Sequence, residues 1–270
     1  LRLGKCALVE KQYELAINSF DQALSKLTDP TRKIEATISK AECLYYLKRW
    51  AESAELLKSI LDSGSSSDLT PRAMYFYART LEQTQNYQLA ISILSQMVEK
   101  YPDYPLTPLA RFLLGNLYAK VGNLENASAI LSELANDNRI KNKELRVESA
   151  FRVAEIYVQL GWYESAVNTY ATLKSQFKGS KHQEKADFGY IHALYQSGKF
   201  DSVIQECQTF IQSYPNSNYI PFATYILANS LLEQNNYDEA LKYYTLIREK
   251  YPDTTYAIDS IYKTAWIKFM

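Results

Sequence analysis

Apolar and polar positions along the chain repeat in one short pattern. An aromatic residue or a leucine is followed by two mostly polar residues, a small residue, three further residues and a large apolar residue. The small position recurs at intervals of 37, 37, 37, 39, 37 and 37 residues. It is held by Ala16, Ser53, Ala90, Ala127, Ala166, Val203 and Ala240. A period this steady over seven copies predicts an array of structural repeats.

Each copy also predicts a pair of helices, because its apolar residues follow a period of about 3.6. In each copy, a second small position lies twelve residues before the one just described. A large apolar residue follows three positions after this second small position. A small residue followed by a bulky one allows two helices to approach closely and then lock. This second position holds Gly4, Ala41, Ala78, Gly115, Ala154, Ala228 and Ala265, and Ile191 is the exception.

Glycine and proline mark the predicted helix ends. Gly122, Gly161, Gly198 and Asn235 share one position in the repeat, where a helix C-terminus needs a left-handed residue. All eight prolines fall between the second helix of one copy and the first helix of the next. We expect Thr70 and Thr107 to be N-caps ahead of a proline at the first helical position. The segment 62–68 predicts a longer exposed connection.

These repeats resemble the tetratricopeptide repeat, and the resemblance covers essentially the whole chain. The fourth copy carries Leu114-Gly115, Tyr118, Ala127 and Leu131 at the positions of the family pattern, with a period of 37 rather than 34 residues. The family resemblance implies an all-α superhelix, a solenoid of about seven helix-turn-helix repeats whose first helices line a concave face. "YPDYPLTPLARFLLGNLY" and "YPNSNYIPFATYILANSL" further resemble the longer repeats of bacterial envelope proteins, such as the outer-membrane barrel assembly lipoprotein and the periplasmic Tol-associated repeat protein.

The period also predicts where each repeat begins and ends. The predicted bounds are 1–33 for a partial first repeat, then 34–70, 71–107, 108–146, 147–183, 184–220 and 221–257, with 258–270 as the first helix of a truncated repeat or a cap. Leu1 is not an initiator methionine, and residues 258–270 include Ile261, Trp266 and Phe269. Because a terminal cap should carry a polar outer face, we expect a piece of a longer array.

Composition and charge exclude several function classes. Lys and Arg number 30 and Asp and Glu number 30, so the basic excess that phosphate binding requires is missing and nucleic acid is not an expected partner. No apolar run approaches the 18 residues of a membrane span. The three cysteines and two histidines match no zinc or disulfide pattern, and no nucleotide-binding or hydrolase motif occurs. We therefore expect no cofactor, no metal, no catalytic residue and no enzyme activity.

The candidate ligand site is a ladder of rings on the first helices. The rings lie three residues before the small position of the first helix, and they are Tyr75, Phe112, Phe151, Phe188, Tyr225 and Tyr262. A second row, called the polar row, lies four residues after each ring, and it comprises Arg79, Asn116, Glu155, His192, Asn229 and Trp266. The family resemblance implies that the ring position faces the concave groove. Two interpretations stay open: the rings bind a ligand, or they pack between neighbouring first helices as core. We expect the polar row to be exposed, since burying unrelated polar groups is costly.

The function expected from this pattern is a non-catalytic scaffold that binds a protein or peptide partner in the groove. The subfamily resemblance implies a role in bacterial cell-envelope assembly, with a periplasmic or outer-membrane-associated location and the cytoplasm as the alternative. Two other functions stay open: a module for polysaccharide recognition or export that uses the aromatic ladder, and a regulatory or targeting array of a larger enzyme.

Overall fold

A computed structural model describes residues 1–64 and 68–270, and it contains helices and connections but no β-strand within those ranges. This confirms the predicted all-α fold. The helices are α1 (Arg2–Val9), α2 (Tyr13–Leu24), α3 (Pro30–Tyr46), α4 (Trp50–Asp62), α5 (Thr70–Gln83), α6 (Tyr87–Lys100), α7 (Thr107–Lys120), α8 (Leu124–Asn136), α9 (Lys143–Gln159), α10 (Tyr163–Gln176), α11 (Gln183–Gln196), α12 (Phe200–Ser213), α13 (Ile220–Glu233), α14 (Tyr237–Lys250) and α15 (Thr255–Phe269). The odd-numbered helices are the first helices of their pairs, and the even-numbered helices are the second helices.

The chain divides into two compact units, residues Leu1–Ser149 and Ala150–Met270. In the first unit, α1 to α7 each pack on the next helix, α7 packs on α8, and α3 also contacts α1 and α5. In the second unit, α10 to α14 each pack on the next helix, and α13 also contacts α11 and α15. Within each unit, therefore, first helices lie next to first helices. The residue bounds drawn from the sequence for each repeat stay a prediction.

The small positions of the pattern are where helices meet, as predicted. Ala41, Ala78, Ala154 and Ala228 are fully buried. At Gly4, a Cβ atom would lie 2.7 Å from the ring of Phe20, which comes from the second helix of the same pair. A Cβ atom at Gly115 would likewise lie 2.5 Å from Leu131. Ala265 differs, because its position on α15 is exposed.

The turn between the two helices of a pair has the same backbone in all seven copies. The residue five positions before the aligned small residue has a positive φ in every copy, from 60° to 81°. The next amide donates to the carbonyl five residues back over 2.8–3.1 Å, which is the bond of a Schellman cap. The sequence predicted this turn at Gly122, Gly161, Gly198 and Asn235 but missed it at Lys11, Lys48 and Gln85. Lysine and glutamine carry no turn signal there, so only the repeat register could have located these turns.

The glutamine at one of these turns gives a test of backbone strain. A side chain at φ 60° costs about 1–2 kcal/mol that glycine avoids. We expect Gln85→Gly to raise the free energy of unfolding by about 0.5–1 kcal/mol, measured by urea denaturation, because glycine also loses more chain entropy on folding. Gly122→Ala at φ 81° is the matched reverse change and should destabilise by a similar amount. Destabilisation by Gln85→Gly would contradict this account.

The expected N-caps at Thr70 and Thr107 were wrong. The N-caps are Leu69 and Leu106, and each threonine is the first helical residue, with proline second. The Thr107 hydroxyl instead donates a hydrogen bond of 2.6 Å to the carbonyl of Tyr101 in the preceding connection, so it does not cap the amides of α7. In the predicted connection at 62–68, residues 65–67 lie outside the described residues.

Candidate functional site

The predicted ladder divides into rings with very different exposure. Phe151 is fully buried and Tyr75 is 8% exposed, whereas Tyr262 on α15 is 72% exposed. Phe112, Phe188 and Tyr225 are half-buried. One position in the repeat therefore provides both core and surface residues, and only its less buried members can contact a ligand.

In the second compact unit, three of the four ladder residues contact a ring that lies 31 residues further along the chain. Three pairs follow this rule: Phe151 with His182 at 6.2 Å between ring centroids, Phe188 with Tyr219 at 4.2 Å, and Tyr225 with Tyr256 at 5.3 Å. The second ring of each pair lies at the N-terminal end of the next first helix. The ladder rings thus join consecutive first helices, and their packing role is real even where they remain partly exposed.

These contacts build one continuous cluster, here called the aromatic surface. Phe222 lies at its centre and contacts Phe188 at 5.7 Å, His192 at 5.6 Å and Tyr256 at 5.0 Å, the last as parallel stacked rings. The aromatic surface comprises Phe188, His192, Tyr219, Phe222, Tyr225 and Tyr256, from α11, α13 and α15 and the residue before α13. All six side chains are at least partly accessible, and Tyr219 is 36% exposed.

Sequence reasoning located Phe188, His192 and Tyr225 but missed the other three members of this surface. Tyr219 and Tyr256 are 37 residues apart, so they occupy one position in the repeat. That spacing was a usable signal. Phe222 had no such signal, because Asp259 stands 37 residues further on.

The polar row is less exposed than expected, because only Trp266 among its six residues is exposed. Asn229 is 6% exposed and lies inside a hydrogen-bond network: the Tyr244 hydroxyl donates to its Oδ1 over 2.6 Å, and its Nδ2 donates to the Tyr195 hydroxyl over 3.2 Å. In the first unit, Arg79 is half-buried, donates to the Tyr45 hydroxyl over 3.1 Å and lies 4.4 Å from the centre of that ring. Both polar groups have partners, and these interactions offset the free-energy cost of removing the groups from water.

The other polar-row residues are also half-buried, except Trp266. Glu155 is half-buried and pairs with Arg152 at 2.6 Å and with Lys185 at 3.6 Å. Asn116 is half-buried in the first unit, and Trp266 on α15 is 49% exposed. The Lys185 ammonium lies 4.5 Å from the centre of the Phe151 ring, so the buried ladder ring is covered by a cation.

The electrostatics of the aromatic surface favour neutral groups. Burial lowers the pKa of His192, so its imidazole is neutral at pH 7 and lies 3.2 Å from the Gln196 side chain. Burial, aided by a hydrogen bond to Asp259, raises the pKa of Tyr225 to about 12, which keeps its hydroxyl protonated. Such a surface can bury apolar groups and offer a few hydrogen bonds, but these residues do not form a nucleophile–base pair.

Two further features of the described residues bear on function. No group of three or more His, Cys, Asp and Glu side chains in residues 1–64 and 68–270 is arranged to hold a metal ion. None of the helices in those ranges has the length and apolar character needed to cross a membrane.

Comparison with known protein families supports the class indicated by these helix pairs. Residues 39–105 match the tetratricopeptide repeat model. Together with the fold, this match shows that the chain resembles the helical repeat proteins of the tetratricopeptide class. Residues 143–268, which contain the whole aromatic surface, match the model of the outer membrane lipoprotein family YfiO. The second compact unit therefore resembles a cell-envelope family. None of the curated proteins matches the sequence.

Solved structures show the same fold at low sequence identity. The C-terminal part of a TPR repeat-containing protein from Cytophaga hutchinsonii has a TM-score of 0.74 at 13% identity, over 96% of this chain and 98% of that one. A tetratricopeptide repeat protein from Parabacteroides merdae has a TM-score of 0.64 at 14% identity, over 81% of this chain and 80% of that one. YrrB, described as a TPR protein with an unusual peptide-binding site, has a TM-score of 0.57 at 14% identity, over 77% of this chain and 98% of that one.

Proposed function

We propose that this chain is a non-catalytic scaffold in bacterial cell-envelope assembly, and that its aromatic surface binds a segment of a partner protein. The observation that carries the proposal is the row of partly exposed rings across three successive first helices, α11, α13 and α15. Aromatic residues dominate the energetics of protein interfaces, and clustered apolar patches on a surface mark interaction sites.

The position of the aromatic surface supports the envelope role. It lies wholly within residues 143–268, the segment that matches the outer membrane lipoprotein family. The first unit offers no equivalent row at the same repeat position, because Leu106 and Lys143 stand where Tyr219 and Tyr256 stand in the second unit. A partner that requires the rings would therefore bind the second unit.

A peptide is the occupant that the ring geometry favours. Phe188 stacks on Tyr219 at an interplanar angle of 12°, and Phe222 stacks on Tyr256 at 9°. Each of these rings has one face covered by its partner, so their edges and remaining faces suit the irregular side chains of a protein segment. The peptide-binding site named for YrrB supports the same occupant on a related fold.

Polysaccharide recognition is the second candidate function. It is favoured by the separate exposure of Trp266 and Tyr262 on α15, since single exposed rings can stack on sugars. Calorimetric titration with envelope glycans and with peptides selected by phage display distinguishes the two candidates. Binding of glycans alone would replace the protein-binding proposal.

The aromatic surface can be tested with one substitution and a matched control. We expect Tyr219→Ala to weaken binding of display-selected peptides at least about tenfold, because a truncated aromatic hot spot costs about 2 kcal/mol or more. The control is Tyr46→Ala in the first unit, since Tyr46 is 41% exposed and stacks on Tyr13 at 5.0 Å. Calorimetry measures binding, and circular dichroism checks that both variants fold. Equal binding by the two variants would contradict the proposal.

A further inference from the structure

The first compact unit contains a cleft that is separate from the aromatic surface. It has a volume of about 800 Å³ and lies between the connection from α6 to α7 and the connection from α8 to α9. That volume is typical of a site for a small molecule or for a few peptide residues. The cleft is therefore large enough to be a second binding site, separate from the aromatic surface.

The walls of the cleft combine apolar side chains with an excess of cations. Tyr104, Leu109 and Ile140 provide apolar wall area. The charged residues lining the cleft are the cations Arg111, Arg139 and Lys141 and the anions Asp103 and Asp137. A ligand that complements this lining carries an apolar group and a negative charge.

Two of these five charged residues, Arg139 and Asp137, are already paired with each other. Arg139 donates from its backbone amide and from its guanidinium to both carboxylate oxygens of Asp137, over 2.8–3.0 Å. These hydrogen bonds lower the pKa of Asp137 to about 2. The Asp137 carboxylate is therefore ionised at pH 7, and both of its oxygens are engaged by Arg139.

Arg111 is the half-buried cation of the cleft, and its guanidinium is not paired with any of the described residues. Arg111 is half-buried on α7, and its charge helps to lower the pKa of Asp137. It makes no hydrogen bond or ion pair with any residue in 1–64 or 68–270. The other half-buried arginines of the described chain all have partners; these are Arg72, Arg79, Arg146 and Arg152. A guanidinium that is partly withdrawn from water gains most from a carboxylate, which it can bind through two parallel hydrogen bonds.

We propose that this cleft binds an extended peptide segment in which an aspartate or glutamate adjoins a large apolar residue. The peptide carboxylate pairs with Arg111, and the apolar side chain packs against Leu109 and Ile140. Lys141 at the rim adds a second, exposed cation that strengthens attraction at low salt. This site is distinct from the aromatic surface and does not depend on the function proposed for it.

The experiment uses short acetylated and amidated peptides with a central acidic–apolar pair in either order: Asp-Phe, Phe-Asp, Glu-Leu and Leu-Glu in glycine-serine flanks. Each has a partner peptide in which the acid is replaced by its amide. Fluorescence anisotropy with the whole chain measures affinity. We expect at least one acidic peptide to bind about tenfold or more tightly than its amide partner, in line with a charge-assisted hydrogen bond.

Substitution places the binding in the cleft. Arg111→Gln should abolish the preference for the acidic peptide, and Ile140→Ser should weaken both peptides of a pair. Arg32→Gln is the matched control, because Arg32 is an exposed arginine in the first turn of α3 in the same unit and should change nothing. Tyr219→Ala in the second unit should also leave this binding intact, so failure here and failure of the aromatic surface are distinguishable.

Several results would overturn the inference. They are the absence of binding by any acidic peptide, equal binding of the acidic and amide peptides, and an affinity that survives Arg111→Gln or falls equally in Arg32→Gln. Inorganic phosphate is the remaining probe. Binding of phosphate through Arg111, with no binding of peptides, would show that the cleft is an inorganic anion site and would refute the peptide assignment.

Discussion

Phe151→Ala should destabilise the protein by about 3–5 kcal/mol, measured as the free energy of unfolding in urea. The Phe151 side chain is fully buried, and its ring lies 6.4 Å from each of the rings of Tyr170 and Phe177. Removing the ring loses its buried apolar area and leaves a cavity that these neighbours fill only in part. The Lys185 ammonium also loses the ring beneath it.

The control comes from the same position of the repeat. Tyr262 occupies the ladder position on α15 and is 72% exposed, so Tyr262→Ala should change stability by no more than about 0.5 kcal/mol. The comparison holds the repeat register constant and varies only burial. A similar loss of stability in both variants would mean that the ladder position, rather than burial, decides the effect.

The helix pairs could be predicted from the sequence because they depend on local rules that the repeat states seven times. The small positions, the apolar spacing and the prolines each fix a helix or its end without reference to distant residues. The turn at Gln85 shows where this stops, since glutamine itself does not favour φ 60°. Its conformation is imposed by the packing of the two helices that it joins.

The candidate site was less predictable because burial depends on which residues the neighbouring first helix supplies. Phe151 and Tyr262 read alike in sequence, yet one is core and the other is surface. Asn229 was expected at the surface. The cost of burying its amide is offset by hydrogen bonds to Tyr244 and Tyr195, which lie 15 and 34 residues away in the sequence. A local sequence pattern does not predict a hydrogen-bond partner that lies so far away in the sequence.

In the sixth repeat, the close contact between helices is not made at the position that the repeat pattern predicts. Its predicted small position holds Ile191, which is fully buried, whereas the close contact is made two residues earlier by Gly189. A Cβ atom at Gly189 would lie 2.1 Å from Cε1 of Tyr170, which belongs to the second helix of the preceding pair. The bulky tyrosine therefore fits against α11 only because residue 189 has no side chain.

Gly189→Ala should therefore destabilise the protein by a net ~1–3 kcal/mol in urea denaturation. Alanine favours a helix over glycine by about 1 kcal/mol, but the added methyl group overlaps a rigid ring that is only 5% exposed. In a Tyr170→Ala background the ring is gone, so the same substitution should become neutral or stabilising. A stabilising Gly189→Ala in the natural sequence would show that Tyr170 can move aside, and the close contact would then not constrain this pair of helices.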